Sequence, residues 1–269
     1  MDDRAENPLV KSIAVASDLM VMDGLSEVEH HADRVILRTP SEPDYWYGNM
    51  VIFRGADVRP DLQIAQFRAD FPDAAHVTLG WDVPHMTHGT GHSILASLGF
   101  GIDATDVLTR TGPGLNAPTP PGITLRPIAD EADWDRVLRL QIDTGVEAGY
   151  PRLQHIGFVK RRFANLRKKT AQGRGQWFGA FDGALLVGDL GIFVQDGLAR
   201  YQSVETRDSH RRLGICAALV AKAANWALES APDTTLVIVA VQDGAAGRIY
   251  RRCGFRPTET TVSAVKGSY

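Results

Sequence analysis

The chain has 269 residues, 44% hydrophobic and 23% charged, the balance of a globular protein long enough for one large core or two modest ones. Its 29 Lys and Arg against 32 Asp and Glu leave a net charge of -3, which argues against the broad basic field of a nucleic-acid or anionic-membrane binder. Two cysteines, Cys216 and Cys253, are too few for a disulfide framework, and no apolar run approaches the roughly 20 residues of a membrane span.

The start, Met1-Asp2-Asp3-Arg4-Ala5-Glu6, is acidic and lacks the basic and apolar regions of an export signal, so a cytoplasmic protein is expected. Residues from Pro8 to about Arg34 read mainly as helix, and Arg34 to Thr39 as a strand. A turn-rich loop at Pro40 to Asp44 leads to a second strand expected over Trp46 to Phe53. Leu62 to Phe71 reads as a helix ended by Pro72, His76 to Trp81 as a strand, Ile94 to Phe100 as a short helix, and Asp106 to Thr109 as a strand. His85, His88 and His92 lie close together in a Gly-rich loop without a carboxylate, a poor metal site, and no metal is expected. Gly89-Thr90-Gly91 lacks the strand and Lys of a nucleotide loop.

Residues 112–122 hold four prolines and three glycines, which no helix or central strand tolerates, so they read as a stiffened linker. That divides the chain into an N-terminal part (1–111), the linker (112–122) and a C-terminal part (123–269). After the linker, Ile123 to Ile128 restarts as a strand and Asp130 to about Ala148 as a helix capped by Asp130 or Asp133. His155 to Gln172 is a second helix, whose basic residues from Lys160 to Lys169 are expected on a solvated face. Asp182-Gly183 is a two-residue turn signal joining Trp177–Phe181 to a strand that runs from Ala184 towards Phe193. Strand, two helices and antiparallel strands followed by strand–loop–helix–strand–helix–strand is α+β order.

The C-terminal part is organised around one junction. Leu198 to Thr206 reads as a strand, and from Ile215 the apolar residues Leu219, Val220, Ala223, Ala224, Trp226 and Ala227 recur at helical steps. Between them, Arg211, Arg212 and Gly214 stand where a helix N-terminus points unpaired N–H groups outward, and that arrangement suits a phosphorylated ligand. Downstream come an apolar strand from Leu236 to Val241, Gln242-Asp243, a short Ala-rich helix and Tyr250-Arg251-Arg252-Cys253-Gly254-Phe255.

These features together resemble the GNAT N-acetyltransferase superfamily. Its pyrophosphate loop, (Gln or Arg)-x-x-Gly-x-(Gly or Ala), is matched by Arg211-Arg212-Leu213-Gly214-Ile215-Cys216, with Cys in the last place. Its later motif, Tyr-x-x-x-Gly-Phe, is matched by Tyr250 to Phe255. The resemblance covers about Ile123 to Val265 and implies the α+β acyl-CoA N-acyltransferase fold, a mixed, mostly antiparallel sheet flanked by helices. The N-terminal part, where Leu98-Gly99-Phe100 echoes Cys253-Gly254-Phe255, then reads as a degenerate GNAT-like domain without a coenzyme loop, in a tandem arrangement.

The resemblance further implies an acetyl-CoA-dependent N-acetyltransferase that moves the acetyl group to a primary amine by direct attack. The backbone of Val204 and Thr206 would pair with the pantetheine arm. The N–H groups of Arg211, Arg212, Leu213, Gly214, Ile215, Cys216 and Ala217 would hold the pyrophosphate. Tyr250 stands where the family often places the acid that protonates the leaving thiolate, and Glu205 where several members carry the base, with Glu147 an alternative. Asp243 stands where the family often has Asn. Cys216 reads as a packed helix residue rather than a nucleophile. The acceptor is expected to be a small-molecule or peptide amine, with no nucleic acid or membrane partner, and a homodimer stays open. The competing expectation is a silent acyl-CoA-binding sensor or structural protein on the same scaffold.

Overall fold

The computed structural model describes residues 10–267; the acidic start at Met1 to Glu6 and the expected helix start at Pro8 lie outside them. The chain divides into two compact units, each assembled from separated stretches: Met1–Val107, Val239–Gln242 and Pro257–Tyr269 in the first, Leu108–Ile238 and Asp243–Arg256 in the second.

The first unit begins with α1 (Ile13–Met22), N-capped by Ser12, whose hydroxyl accepts from Ala14 N–H at 3.2 Å. The opening helix is shorter than expected. Gly24, in the left-handed region at φ 74°, follows it, and Glu27–His30 becomes strand β1 instead. Strands β2 (Arg34–Arg38) and β3 (Met50–Phe53) follow, antiparallel to their predecessors. Trp46–Gly48 is a single tight turn rather than the start of β3. There Asn49 satisfies loop backbone, accepting from Thr39 N–H and donating to the carbonyls of Glu42 and Tyr45. Helix α2 (Pro60–Asp70) leads to β4 (His76–Trp81), which runs parallel to β3. Helix α3 (Thr90–Ser97) starts four residues earlier than expected, because His92 Nδ1 accepts from Gly89 N–H at 3.1 Å and so caps it. The His92 ring packs edge-on against Trp81, which gives that histidine a structural place. Strand β5 (Gly101–Arg110) follows.

The second unit continues with β6 (Ile123–Pro127), α4 (Glu131–Glu147), α5 (Arg152–Ala171), β7 (Gly175–Asp182), β8 (Leu185–Gln195), β9 (Leu198–Thr206), α6 (Ile215–Ser230), β10 (Thr235–Val241) as far as Ile238, and α7 (Ala245–Arg252). Neighbours β6, β7, β8 and β9 are all antiparallel, and β10 joins β9 parallel, so this is a mostly antiparallel sheet. Alternation places helices on both faces. Trp177 packs against Trp134 of α4 and Phe163 of α5, whereas the next residue, Phe178, meets Trp226 of α6. The basic face expected on α5 is not wholly solvated. Arg162 is only 4% exposed and donates to Gln202 Oε1 at 3.3 Å, and Lys169 is 2% exposed with its ammonium over the Phe193 ring. Long aliphatic stems let such residues pack while their heads find partners.

The final strand, β11 (Arg256–Gly267), pairs antiparallel with β4, adding a fifth strand to the β1-β2-β3-β4 ribbon of the first unit. Glu259 of β11 also accepts from Ser12 Oγ at 2.6 Å and Ile13 N–H at 3.0 Å, an anion at the positive end of α1. Among the described residues no helix is long and apolar enough to cross a membrane, and no group of His, Cys, Asp and Glu is arranged to hold a metal ion.

Candidate functional site

The site begins with an irregularity in β9. Asp189 of β8 stands opposite Glu205, and Gly191 opposite Gln202, so Leu190 faces two residues, Ser203 and Val204. Ser203 adopts φ 49°, a conformation that a non-glycine residue takes only when its surroundings impose it. Such a bulge bends its strand. The parallel ladder to β10 covers Leu198, Ala199 and Arg200 and ends there. Beyond it the last residues of β9 border a cleft of about 900 Å³.

Val204, Glu205 and Thr206 line that cleft together with Arg211, Arg212, Gly214, Ile215, Cys216 and Ala217. The junction thus gathers these predicted residues into one place. Leu213 is exposed and does not line it. Gly214 is the N-cap of α6 at φ 88° with no side chain bonded across the helix end. The first bond of the helix runs from Ala218 N–H to Gly214 O at 3.1 Å, so the amides of Ile215, Cys216 and Ala217 have no partner within the helix. Arg212, at φ 64°, turns the backbone into this end. The Arg211 guanidinium is held beside it by Thr206 O at 3.2 Å and Asp208 Oδ1 at 2.9 Å. Unpaired amides, a helix dipole and two guanidinium groups converge on one wall, which is the physics of a phosphate site.

Thiols and acid–base groups lie beside the same helix end. Cys216 and Cys253 both line the cleft as free thiols. Burial, then the charges of Cys253 and Glu205, pushes the Cys216 thiol up to about 12. A thiol so protonated is a poor nucleophile, in keeping with its reading as a packed residue. Tyr250 of α7 is only 4% exposed and is not among the lining residues, yet its phenol feels the charges of Cys216 and Glu205. Burial is the largest cause of its raised pKa, so the phenol keeps its proton. Its hydroxyl makes no hydrogen bond among the described residues.

Strand pairing settles which way Glu205 points. Directly opposed residues share a face, and Asp189 opposite it is bonded to Gln141 of α4. Glu205 therefore projects towards the α4 side, away from Thr206, whose partner Gly188 lies against Ile215 and Leu219 of α6. Burial raises the Glu205 pKa; Arg211 opposes the shift and Glu147 adds to it, so both candidate carboxylates lie within reach of each other's charge. Asp243 sits at φ 59° outside the cleft lining, its carbonyl accepting from Arg248 at 2.9 Å.

The acetyltransferase (GNAT) family model matches residues 138–255. That segment is a GNAT-family domain. The fold likeness extends over nearly the whole chain. A GCN5-related N-acetyltransferase from Kribbella flavida superposes with a TM-score of 0.65 at 18% identity, covering 95% of this chain and 95% of that one. A conserved protein of unknown function from Staphylococcus epidermidis gives 0.64 at 13% identity over 90% and 93% of the two chains. A tandem GNAT protein from the clavulanic acid biosynthesis pathway gives 0.57 at 13% identity over 92% and 87%. At these identities the likeness establishes a fold. No curated protein compared matches the chain.

One wall of the GNAT domain's cleft was not visible in the sequence. Gly114 to Pro118, from the Pro- and Gly-rich segment, lines the cleft. Asn225 of α6 grips it with both ends of its amide: Oδ1 accepts from Leu115 N–H at 2.7 Å and Nδ2 donates to Leu115 O at 2.9 Å. A Cβ on Gly114 would stand 2.7 Å from that same Oδ1, so the close approach needs glycine. Asn225→Leu keeps the shape and leaves both backbone groups of Leu115 unpaired. It is expected to cost about 2 kcal/mol and to speed protease cleavage within residues 112–122. An unchanged melting curve and an unchanged cleavage rate would show that the segment is held by other means.

Proposed function

We propose that the GNAT domain transfers an acetyl group from acetyl-CoA to a primary amine, with coenzyme phosphates on the uncapped end of α6. The observation that carries this reading is the combination of Gly214 at φ 88°, the free amides of Ile215 to Ala217 and the flanking Arg211 and Arg212 on one wall of a single cleft. The bent end of β9 offers backbone to an extended pantetheine arm across that cleft. Glu205, with Glu147 near, takes the proton from the attacking amine, and Tyr250 returns one to the departing thiolate. The proton balance closes: the amine loses one at the base, and the acid supplies one to sulfur. The acceptor is a small-molecule or peptide amine, no metal takes part, and two unpaired thiols suit a reducing cytoplasm.

Calorimetric titration with acetyl-CoA tests the reading. The unmodified protein is expected to bind with micromolar affinity, and Arg211→Glu/Arg212→Glu to bind at least about 100-fold more weakly, roughly 2.7 kcal/mol. Equal affinity in both proteins would move the phosphates elsewhere. No binding by either would remove the transferase reading. Binding without turnover across an amine screen would favour a coenzyme sensor.

A further inference from the structure

The GNAT domain buries an acid that its cleft does not use. Asp189 is 0% exposed, and among the described residues its side chain meets two donors and no cation. Trp177 Nε1–H donates to Oδ2 at 2.8 Å, and Gln141 Nε2–H donates to Oδ1 at 3.0 Å and Oδ2 at 3.2 Å. An apolar residue would pack there without the cost of burying a carboxyl. Two further contacts show what the acid does.

Gln141 Nε2–H also donates to Ser203 O at 3.2 Å. Ser203 is the bulge residue, where β9 departs from a regular ladder, so its strained backbone is held from α4. Asp189 fixes Gln141, and Trp177 fixes Asp189. The second contact is the cross-strand pair itself: Asp189 and Glu205 are directly opposed on one face. Such pairs stand about 5 Å apart at Cβ, where like charges repel.

The geometry points to Asp189 as a positioning residue for Glu205: with Trp177 and Gln141 it clamps the β9 bulge, and from the opposed strand it sets its carboxyl against that of Glu205. What Glu205 then does with its proton rests on the acyl-transfer reading. The supporting electrostatics agree in direction. Burial, opposed by the Trp177 and Gln141 donors and aided by Glu205's charge, pushes Asp189 up to about 8, and burial raises Glu205 as well. The other charged groups acting on Glu205 are Arg211 beyond β9 and Glu147 of α4. His155 of α5 meets Gln141 O at 3.1 Å.

The test uses the full chain labelled with 15N-tryptophan, Trp177→Phe identifying the Trp177 signal among the five indoles. The Trp177 N–H resonance is expected to move downfield as pH rises through about 8, when its acceptor becomes an anion. Asp189→Asn is expected to abolish that movement. Glu205→Gln, which removes the like charge, is expected to lower its midpoint by about half a pH unit or more. Gln141→Leu is expected to raise amide exchange at Val204 and Glu205 about tenfold while Phe178 and Ile192 stay protected. An unmoved midpoint in Glu205→Gln, or unchanged exchange in Gln141→Leu, overturns the proposal. Neither measurement uses acetyl-CoA, so failure of the transferase reading would show separately in the calorimetry.

Discussion

Tyr250→Phe is expected to lower turnover about 100-fold while acetyl-CoA affinity stays within about threefold. The substitution is close to a pure deletion of one proton donor. The ring is buried and stays, and the hydroxyl has no hydrogen-bond partner among the described residues, so its loss leaves no orphaned group. The phenol is held protonated by burial and lies within the electrostatic reach of Cys216 and Glu205, both of which line the cleft. An effect confined to turnover is what loss of a general acid predicts, because the thiolate must then leave without its proton. Release of free thiol from acetyl-CoA, measured with the amine that a screen selects, reads the rate; calorimetry reads the affinity. Equal turnover in both proteins would leave Tyr250 as a packed ring with no part in the chemistry.

The second large effect concerns stability. Gly191→Ala in β8 is expected to cost about 3 kcal/mol and to lower the unfolding midpoint by roughly 6–12 °C. A Cβ at Gly191 would overlap Cζ3 and Cε3 of Trp177 and stand 2.9 Å from Cη2. Trp177 cannot step aside: it is fully buried against Trp134, Phe163 and Phe193, and its indole N–H is committed to Asp189. Gly191→Ala/Trp177→Phe frees the space and is expected to recover part of the loss, the remainder reflecting the donor that Asp189 forfeits. Thermal unfolding of the single and double variants measures the coupling. A Gly191→Ala protein that melts with the parent would mean that the sheet yields at this point.

How much of this was legible in the sequence depends on how local the cause was. The strand Leu198–Thr206, with Tyr201, Val204 and Thr206, and the helix from Ile215, with its helical apolar steps, both occur with the expected bounds at the junction. The turn signal was equally local, although the turn falls one residue later, at Gly183-Ala184, with glycine supplying φ 55° and Asp182 ending β7. Long-range causes left no such mark. A serine at φ 49° looks like any strand serine until Gln141, 62 residues away, is seen holding its carbonyl. The docked Gly114–Pro118 segment reads as a spacer until Asn225 is found gripping it. Composition alone placed Arg162 and Lys169 in water; the aromatic and amide partners that bury them come from other strands. The face of Glu205 needed the register of β8, which strand alternation by itself does not fix.

The placement of β11 sets an order of assembly. Its residues from Pro257 onward belong to the first unit, where the strand completes an edge on β4 and Glu259 neutralises the amide end of α1. A ribosome delivers residues 10–107 early, but they must wait with β4 lacking this neighbour while the intervening 108–256 emerge. The second unit therefore has every one of its segments in hand before the first does, and damage to β11 falls on the unit whose other strands were made earlier.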